Sequence, residues 1–278
     1  MRQALTMLSA ISAGALSLAV SGAGANGSPY SPGLVDGWDG VRAGSGDVRY
    51  VTIGTARSTL VAAIRVRGGR VLRTRMLHGF YGIPIVTYDG TTGGVSGNGR
   101  RVVVSSYGPL PGNAGTTRFV VLSTKTLKPH RLVELSGAWS YDAISPDGKT
   151  LYLVEHLSAG PNPRYRVRVF DLDRGRLLPN AIVDRLEKEE VMGGQPATRA
   201  SSPDGRWAYT LYARAKGEPF VHALDTARRA AFCIDLPLRL TEVKQMGLQL
   251  GLEQGELSVR NGGATVAVVD TRTFAVRS

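Results

Sequence analysis

The stretch "ISPDGKTLYL" at residues 144–153 returns as "SSPDGRWAYTLY" at residues 201–212. Both copies contain Ser-Pro-Asp-Gly, a basic residue and a strand-like run. Pro fits the second position of a type I turn, Asp fits the tight geometry after it, and Gly takes the left-handed conformation that leads into the next strand. A looser version, Ser-Gly-Asn-Gly, stands at residues 96–99. The tetrapeptide therefore predicts a repeated β-hairpin, and its aspartates are poor candidates for catalysis.

A second signature follows each of these turns. It consists of an apolar pair, a short polar residue and another turn. Ser123, Asp171, Asp225 and Asp270 hold this position at separations of 48, 54 and 45 residues, and Arg65 holds it in the first unit, 58 residues before Ser123. A repeat with a period of this size indicates an architecture built from one supersecondary unit. Five units are visible.

Strand-like runs rich in Val, Tyr, Thr and Leu lie between the two signatures, as in "KTLYLVEH" at residues 149–156. Each unit is interpreted as four short antiparallel strands, which is the blade of a β-propeller. The fold class predicted is all-β, a β-propeller of about five four-stranded blades, with six or seven blades as the alternative if degenerate units escaped notice. Residues 47–278 are expected to form this single domain.

The peptides "SPDGKTLYL" and "SPDGRWAYTLY" resemble the TolB-like, or WD-like, repeats of exported bacterial propellers. The resemblance is good over residues 140–155 and 197–212 and looser over 92–106. It implies a periplasmic, envelope-associated or extracellular location. Families with such repeats include translocation-complex propellers, peptidase accessory domains and lactonase-like enzymes, so the repeat alone does not select a function.

The first 25 residues have the pattern of an export signal. Arg2 is followed by an uncharged apolar run and then by Ala23-Gly24-Ala25, which fits a small-residue cleavage site. An uncleaved membrane anchor is the alternative. Residues 26–46 are interpreted as an N-terminal extension that could close the ring, and no transmembrane span is expected after the leader is removed. Cys233 is the only cysteine, so an internal disulfide is excluded.

The charge of the chain favours anionic neighbours. Lys and Arg number 34 against 22 Asp and Glu, a formal net charge of +12. Envelope polymers, lipid headgroups and acidic ligands are all suitable partners, and a protein, a glycan or a small molecule could fill this role. No aromatic residues interleave the basic ones in a known nucleic-acid motif, so nucleic-acid binding is not expected.

The candidate ligand-binding residues lie mainly in the connections between blades, at 77–90, 135–144 and 189–200. These connections are rich in Gly, aromatic and polar residues, and aromatic walls with a few polar groups are typical of a ligand pocket. The candidates expected at one mouth are His78, Tyr81, Tyr88, Asp89, Trp139, Tyr141, Asp142, Glu155, His156, Gln195 and Arg199. The alternative for the aromatic residues is that they wedge between blades.

Among these candidates, the charged residues on inner strands are the most informative about a site. Asp142 and Arg199 lie on predicted inner strands, where a charge is costly unless it is paired or has a function. Glu155 and His156 could serve as an acid–histidine pair, or they could be solvated surface residues.

The sequence contains none of the strong catalytic signatures. It has no His-Glu-x-x-His, no paired Cys or His spacing for zinc and no phosphate-binding loop of the Walker type. No metal or cofactor is therefore predicted, and no catalytic residue is assigned. The leading hypothesis is an exported binding or interaction module, and the alternative is a lactonase-like or other hydrolase that uses Asp, Glu or His at the same mouth.

Overall fold

A computed structural model describes residues 31–42, 46–160, 163–182, 184 and 191–278. The leader predicted at residues 1–25 lies outside these ranges. In the described residues the strands form five antiparallel sheets that follow one another along the chain, together with a separate two-stranded sheet made of the first and sixth strands. In chain order they are β1 (Leu34–Val35); β2 (Gly37–Arg42), β3 (Val48–Gly54), β4 (Ser58–Arg65) and β5 (Val71–His78) of sheet 1; β6 (Ile83–Pro84); β7 (Arg101–Ser105), β8 (Thr116–Ser123) and β9 (Pro129–Ser136) of sheet 2; β10 (Trp139–Ile144), β11 (Thr150–His156), β12 (Arg164–Asp171), β13 (Arg176–Ile182) and β14 (Met192–Gly193) of sheet 3; β15 (Gln195–Ser201), β16 (Trp207–Ala213), β17 (Phe220–Asp225) and β18 (Ala230–Asp235) of sheet 4; and β19 (Leu248–Glu253), β20 (Glu256–Asn261), β21 (Ala264–Asp270) and β22 (Val276–Arg277) of sheet 5.

The prediction of an all-β propeller with about five blades is confirmed. Each of sheets 1 to 5 forms one blade, and consecutive strands pair as hairpins from the inner to the outer edge. Sheet 2 departs from the pattern at its inner edge. There the short β6 pairs with β1, and single bridges such as Val95 to Val102 take the place of a regular inner strand.

The Ser-Pro-Asp-Gly turns have the geometry that the sequence predicts. In sheet 3 the N–H of Gly148 donates to the carbonyl of Ser145 at 2.9 Å, and Gly148 has φ of +73°. The Ser145 hydroxyl donates to Asp147 Oδ1 at 2.5 Å and accepts the Thr150 N–H at 2.9 Å. Corresponding bonds occur in sheet 4 and at the Ser-Gly-Asn-Gly turn of sheet 2. These side chains are therefore occupied in holding the first hairpin of each blade.

The second signature forms the hairpin between the third and fourth strands. Asp270 Oδ1 accepts two backbone N–H groups of its own turn, and the N–H of Phe274 donates to the Asp270 carbonyl at 2.8 Å. The residue four positions after the polar one takes positive φ in sheets 2 to 5. These residues are Leu127, Gly175, Arg229 and Phe274. Only one is glycine, so the other three adopt a conformation that is uncommon for their residue types.

The core consists of apolar clusters between neighbouring sheets. Separate clusters join sheets 1 and 2, 2 and 3, 3 and 4, and 4 and 5. Tyr152 adds a polar joint between sheets 3 and 4, because its buried hydroxyl donates to the Thr226 carbonyl at 2.6 Å. No apolar cluster of the described residues joins sheet 1 to sheet 5. Apolar packing therefore holds together four pairs of neighbouring blades.

The centre of the ring is crossed by the chain that leads into sheet 2. The N–H groups of Tyr88 and Asp89 donate to the carbonyls of Pro196 and Ala197 on β15, at 2.9 and 3.1 Å. Farther along, the Asn98 N–H donates to the Pro146 carbonyl at 2.9 Å. We call residues 85–92 the crossing segment. It joins sheet 2 directly to sheet 4 across the axis.

Two elements extend the simple pattern of five four-stranded blades, namely a strand before residue 47 and a short helix between sheets 4 and 5. Strand β2 lies within the 26–46 extension and pairs with β3 of sheet 1. A short helix, α1 (Glu242–Met246), stands between sheets 4 and 5, in a region where no helix was expected. Buried Gln245 holds it, donating to the carbonyls of Gly217 and Leu240 at 2.9 and 2.8 Å. Five residues are too few to give a helical period in the sequence.

Candidate functional site

Asp142 and Arg199 meet at the axis of the ring. Each stands three residues before the Ser of its turn, so the two occupy equivalent positions on β10 and β15. Both inner strands carry an irregularity beside these residues, between Tyr141 and Ala143 and between Pro196 and Thr198. A bulge of this kind re-aims a side chain. The two side chains form an ion pair, with 7% of Arg199 and 3% of Asp142 exposed.

Each nitrogen of the Arg199 guanidinium forms a hydrogen bond with a neighbour. Besides the Asp142 carboxylate it contacts the Asp142 carbonyl at 2.5 Å through Nη1, and its Nε donates to the Thr210 hydroxyl at 2.8 Å. Burial lowers the pKa of Arg199, but the adjacent Asp142 raises it by a larger amount. The net shift of the pKa is upward, and the side chain stays charged. The two charges that the sequence places on inner strands are therefore paired with each other.

A small cavity lies on the side of this pair that faces the blade-to-blade connections. We call it the mouth cavity. It holds about 20 Å³, room for roughly one water molecule. Its lining includes Val86, Ser140, Tyr141, Asp142, Val154, His156, Tyr165, Pro196, Arg199 and Tyr212. A neighbouring cavity of about 30 Å³ is lined by Trp139, Ser140 and Tyr141 among others.

Ser140 and His156 form the most reactive pairing in the mouth cavity. The Ser140 hydroxyl lies 2.8 Å from His156 Nε2. Burial lowers the pKa of His156 to about 4, because the charged imidazolium would lose its hydration there. The ring is therefore neutral at physiological pH and can accept a hydrogen bond from the hydroxyl, while the same burial makes it a weaker base than an exposed histidine.

The crossing segment covers the axis at this end. Tyr88 is half-buried, and burial raises its pKa to about 12. Burial also acts to raise the pKa of Asp89, but hydrogen bonds from Thr87, Thr198 and Thr91 outweigh it, so the pKa lies below its usual value. Asp89 Oδ1 accepts the Thr87 hydroxyl at 2.7 Å and the Thr91 hydroxyl at 2.8 Å. These hydrogen bonds to the Asp89 carboxylate stabilise the conformation of the crossing segment.

The other candidates of the predicted mouth lie apart from the mouth cavity. His78 is exposed at the end of β5, and the half-buried Tyr81 packs against the cluster between sheets 1 and 2. Trp139 is buried in the cluster between sheets 2 and 3, and its indole N–H donates to the Ser136 carbonyl at 2.9 Å, so it acts as a wedge. Glu155 binds Arg168 at 2.7 Å and lies 3.5 Å from Arg166. Gln195 is half-buried at the start of β15.

A larger cavity lies on the opposite side of the Asp142–Arg199 pair. We call it the channel cavity. It holds about 260 Å³ and is lined by the inner edges of sheets 1 to 4. Its polar and aromatic lining includes Arg42, Thr91, Thr92, Ser96, Tyr141, Asp142, Arg199, Ser201, Ser202 and Trp207. Because Ser202, Pro203 and Gly205 also line it, this cavity lies toward the end of the ring that carries the Ser-Pro-Asp-Gly turns.

Glycines of sheet 2 shape the channel cavity. A Cβ on Gly93 would lie 2.7 Å from the Tyr141 ring, and a Cβ on Gly97 would lie 1.9 Å from the Asp204 carbonyl oxygen. The inner edge of sheet 2 can therefore approach sheets 3 and 4 only without side chains at these positions. The run "GGVSGNG" at residues 93–99 was the available signal, but its glycines could not be distinguished from turn residues in the sequence.

Two absences bear on the chemistry of the site. Across the described ranges, no group of three or more His, Cys, Asp or Glu side chains is placed to hold a metal ion. No helix in the described part of the chain has the length and hydropathy required to span a membrane.

The fold is similar to that of several solved structures. The Cps50 (Swd1) β-propeller domain of Myceliophteria thermophila matches at a TM-score of 0.48 and 12% identity, over 84% of this chain and 64% of that one. Hydrazine synthase of Kuenenia stuttgartiensis matches at 0.43 and 16%, over 86% and 80%. A putative TolB of Agrobacterium tumefaciens matches at 0.40 and 16%, over 82% and 75%. No protein-family model and no curated protein matches the sequence. The likeness is one of fold.

Proposed function

We propose that the chain is an exported β-propeller that works as a binding module, with its ligand held in the channel cavity. The observation that carries this proposal is the difference in volume between the two sides of the Asp142–Arg199 pair. The channel cavity holds about 260 Å³, whereas the mouth cavity holds about 20 Å³. A binding site is usually the larger concave space with a few convergent polar groups. The proposal therefore moves the ligand from the expected mouth to the turn-bearing end.

The lining of the channel cavity favours a polar ligand with an acidic group. The polar side chains of the lining are mainly hydroxyls, and Trp207 supplies an aromatic wall among several aliphatic residues. Arg42 is exposed and forms no ion pair among the described residues, whereas Arg199 is already neutralised by Asp142. The positive net charge of the chain would further attract an anionic ligand.

Thermal-shift screening of acidic sugars, peptides and small carboxylates against the purified protein tests this function. A compound that stabilises the wild type should lose its effect in Ser201→Phe, because the new ring would fill the channel cavity. Arg42→Gln should weaken binding by less than Ser201→Phe does. Ser136→Phe, which changes an exposed serine at the end of β9, is the matched control and should bind normally. Equal binding by Ser201→Phe and wild type would place the ligand elsewhere and contradict the proposal.

Export is a separate part of the proposal. The pattern of residues 1–25 supports it. Mass spectrometry of the protein produced in a bacterium with a general secretion pathway should find an N-terminus at Asn26. An intact Met1 or Arg2 on protein from the membrane fraction would instead favour the anchor.

The second candidate function is hydrolysis at the mouth cavity. The observation that favours it is the 2.8 Å contact between the Ser140 hydroxyl and the neutral His156 ring. Asp142 and Glu155, the carboxylates that the sequence offers for this rival, are each paired with an arginine. A fluorophosphonate probe at pH 8 should label the wild type and spare Ser140→Ala and His156→Ala if this function is real. Absence of labelling in folded wild-type protein would eliminate it.

A further inference from the structure

Sheets 4 and 5 leave an open cleft between their last hairpins. It holds about 340 Å³, more than either axial cavity. We call it the inter-sheet cleft. Its main lining residues are Trp207, Asp225, Arg228, Phe232, Arg272 and Phe274. It lies away from the mouth residues that the sequence predicts, and Trp207 is the one lining residue that it shares with the channel cavity.

Aromatic rings form one wall of the inter-sheet cleft. Phe274 meets Phe232 at 4.9 Å between ring centroids and meets the edge of Trp207 at 5.8 Å, with an interplanar angle of 76°. Tyr209 stacks behind Trp207 at 5.6 Å and 8°. The three lining rings are half-buried rather than enclosed. A planar ring could therefore add to this wall without displacing the core.

Cationic side chains border the same cleft. Arg228 and Arg272 are exposed, and neither forms an ion pair among the described residues. The one acid in the lining, Asp225, is occupied. It binds Arg206 at 2.8 Å and accepts the backbone N–H groups of Ala227 and Arg228 at 3.1 and 3.0 Å. The cleft thus combines an aromatic wall with two guanidinium groups available to an anion.

The position of Phe274 separates this cleft from its counterparts. Phe274 holds φ of +58°, and the equivalent residue in sheet 2, Leu127, holds +54°. Leu127 is fully buried in the cluster between sheets 1 and 2, so that its blade contact is filled. The equivalent residue in sheet 3 is Gly175, which brings no side chain. Among the described residues, this repeated turn position presents an aromatic ring to an open cleft only at sheet 5.

We propose that the inter-sheet cleft binds a planar aromatic ring that carries a carboxylate or phosphate group. The ring packs against Trp207, Phe232 and Phe274. The anionic group lies between Arg228 and Arg272, where guanidinium groups can donate two parallel hydrogen bonds to it. One ligand would then contact both the aromatic wall and the two guanidinium groups.

Calorimetry with three naphthalene probes tests the chemical class. 2-Naphthoate and 2-naphthyl phosphate should bind the full chain, and the neutral 2-naphthamide should bind at least ten-fold more weakly. Adding salt should weaken the binding of the two anions and leave the affinity for the amide unchanged. Equal affinity for naphthoate and naphthamide would overturn the proposal, as would failure of both anions to bind.

Variants locate the site. Arg228→Gln with Arg272→Gln should weaken naphthoate at least ten-fold, and Phe274→Leu should weaken all three probes while folding normally, since Leu127 shows that leucine is accepted at this turn position. Lys125→Gln is the matched control, because Lys125 holds the place of Arg272 in the sheet 2 turn. The channel variant Ser201→Phe should bind naphthoate like wild type, which separates this site from the channel cavity. Unchanged binding by the double arginine variant would show that the cleft is not the site.

Discussion

Sheets 3 and 4 carry the same turn at their first hairpins and opposite charges three residues before it. Asp147 and Asp204 make corresponding bonds within their turns. Asp142 and Arg199, at equivalent positions further inside, form one ion pair with each other across the blade boundary. Residues that are repeated from blade to blade build the blades, whereas the residues that break the repeat determine what lies at the axis.

The largest effect is expected where the repeat is broken. Arg199→Ala should destabilise the protein by about 3 to 5 kcal/mol, because it leaves the Asp142 carboxylate buried without its partner. Urea denaturation followed by circular dichroism measures the free energy of unfolding. The double variant Asp142→Asn, Arg199→Met should be more stable than Arg199→Ala. A loss below about 1 kcal/mol in Arg199→Ala would show that water reaches the pair.

Acidification should destabilise the protein through the same region. Burial lowers the pKa of His156 and of His222 to about 4, whereas an unfolded histidine titrates near 6.5. The unfolded chain therefore binds more protons between these values, and stability that is complete above pH 6.5 is lost as the pH falls toward 4. The loss should approach about 3 kcal/mol for each histidine.

Histidine variants test this assignment. His222→Phe should flatten the pH dependence of the free energy of unfolding between pH 6.5 and 4. His78→Gln is the control, since His78 is exposed, and it should leave the slope unchanged. An equal slope in wild type and His222→Phe would contradict the buried, neutral imidazole at that position.

The repeated turns should give moderate and equal effects. Asp147→Ala and Asp204→Ala should each cost about 1 kcal/mol, because each removes the acceptor for a hydroxyl and a backbone N–H. The two losses should agree within about 0.5 kcal/mol. Any ligand of the channel cavity should bind Asp147→Ala normally, because the cavity is lined by the sheet 4 turn and not by the sheet 3 turn. Thermal unfolding with and without that ligand measures both quantities. A loss of binding in Asp147→Ala would mean that its turn has a role beyond the hairpin.

The smallest effect is expected at the outer ion pair of sheet 3. Glu155 and Arg168 contact at 2.7 Å, but 23% of the Glu155 side chain is exposed. Glu155→Gln should therefore cost about 1 kcal/mol or less. A cost equal to that of Arg199→Ala, measured by the same urea denaturation, would show that burial does not distinguish the two pairs.

The repeat made the blades predictable from sequence. Hairpins are local, so the Ser145 and Ser202 turns and the Asp225 and Asp270 turns could be assigned with their strands. Charges on inner strands are rare enough that Asp142 and Arg199 could be selected as residues needing a partner. Their pairing with each other required the strand irregularities at Asp142 and Ala197, which leave no sequence signal that we can identify.

The shape of the axis could not be predicted in the same way. The crossing segment depends on backbone N–H groups of Tyr88 and Asp89, which every residue type except proline possesses. The channel cavity depends on the close approach of Gly93 and Gly97, and glycine in the sequence does not reveal what approaches it. Ser140 was overlooked because a single serine carries no signal until its distance to His156 is known.

A double-mutant cycle on Asp142 and Arg199, run beside one on Glu155 and Arg168, tests the central claim most directly. Each cycle measures by urea denaturation how far the effects of two substitutions fail to add. We expect a coupling energy of at least about 2 kcal/mol for the axial pair and below about 1 kcal/mol for the outer pair. Equal coupling energies in the two cycles would contradict the claim that the residues breaking the repeat form a distinct centre.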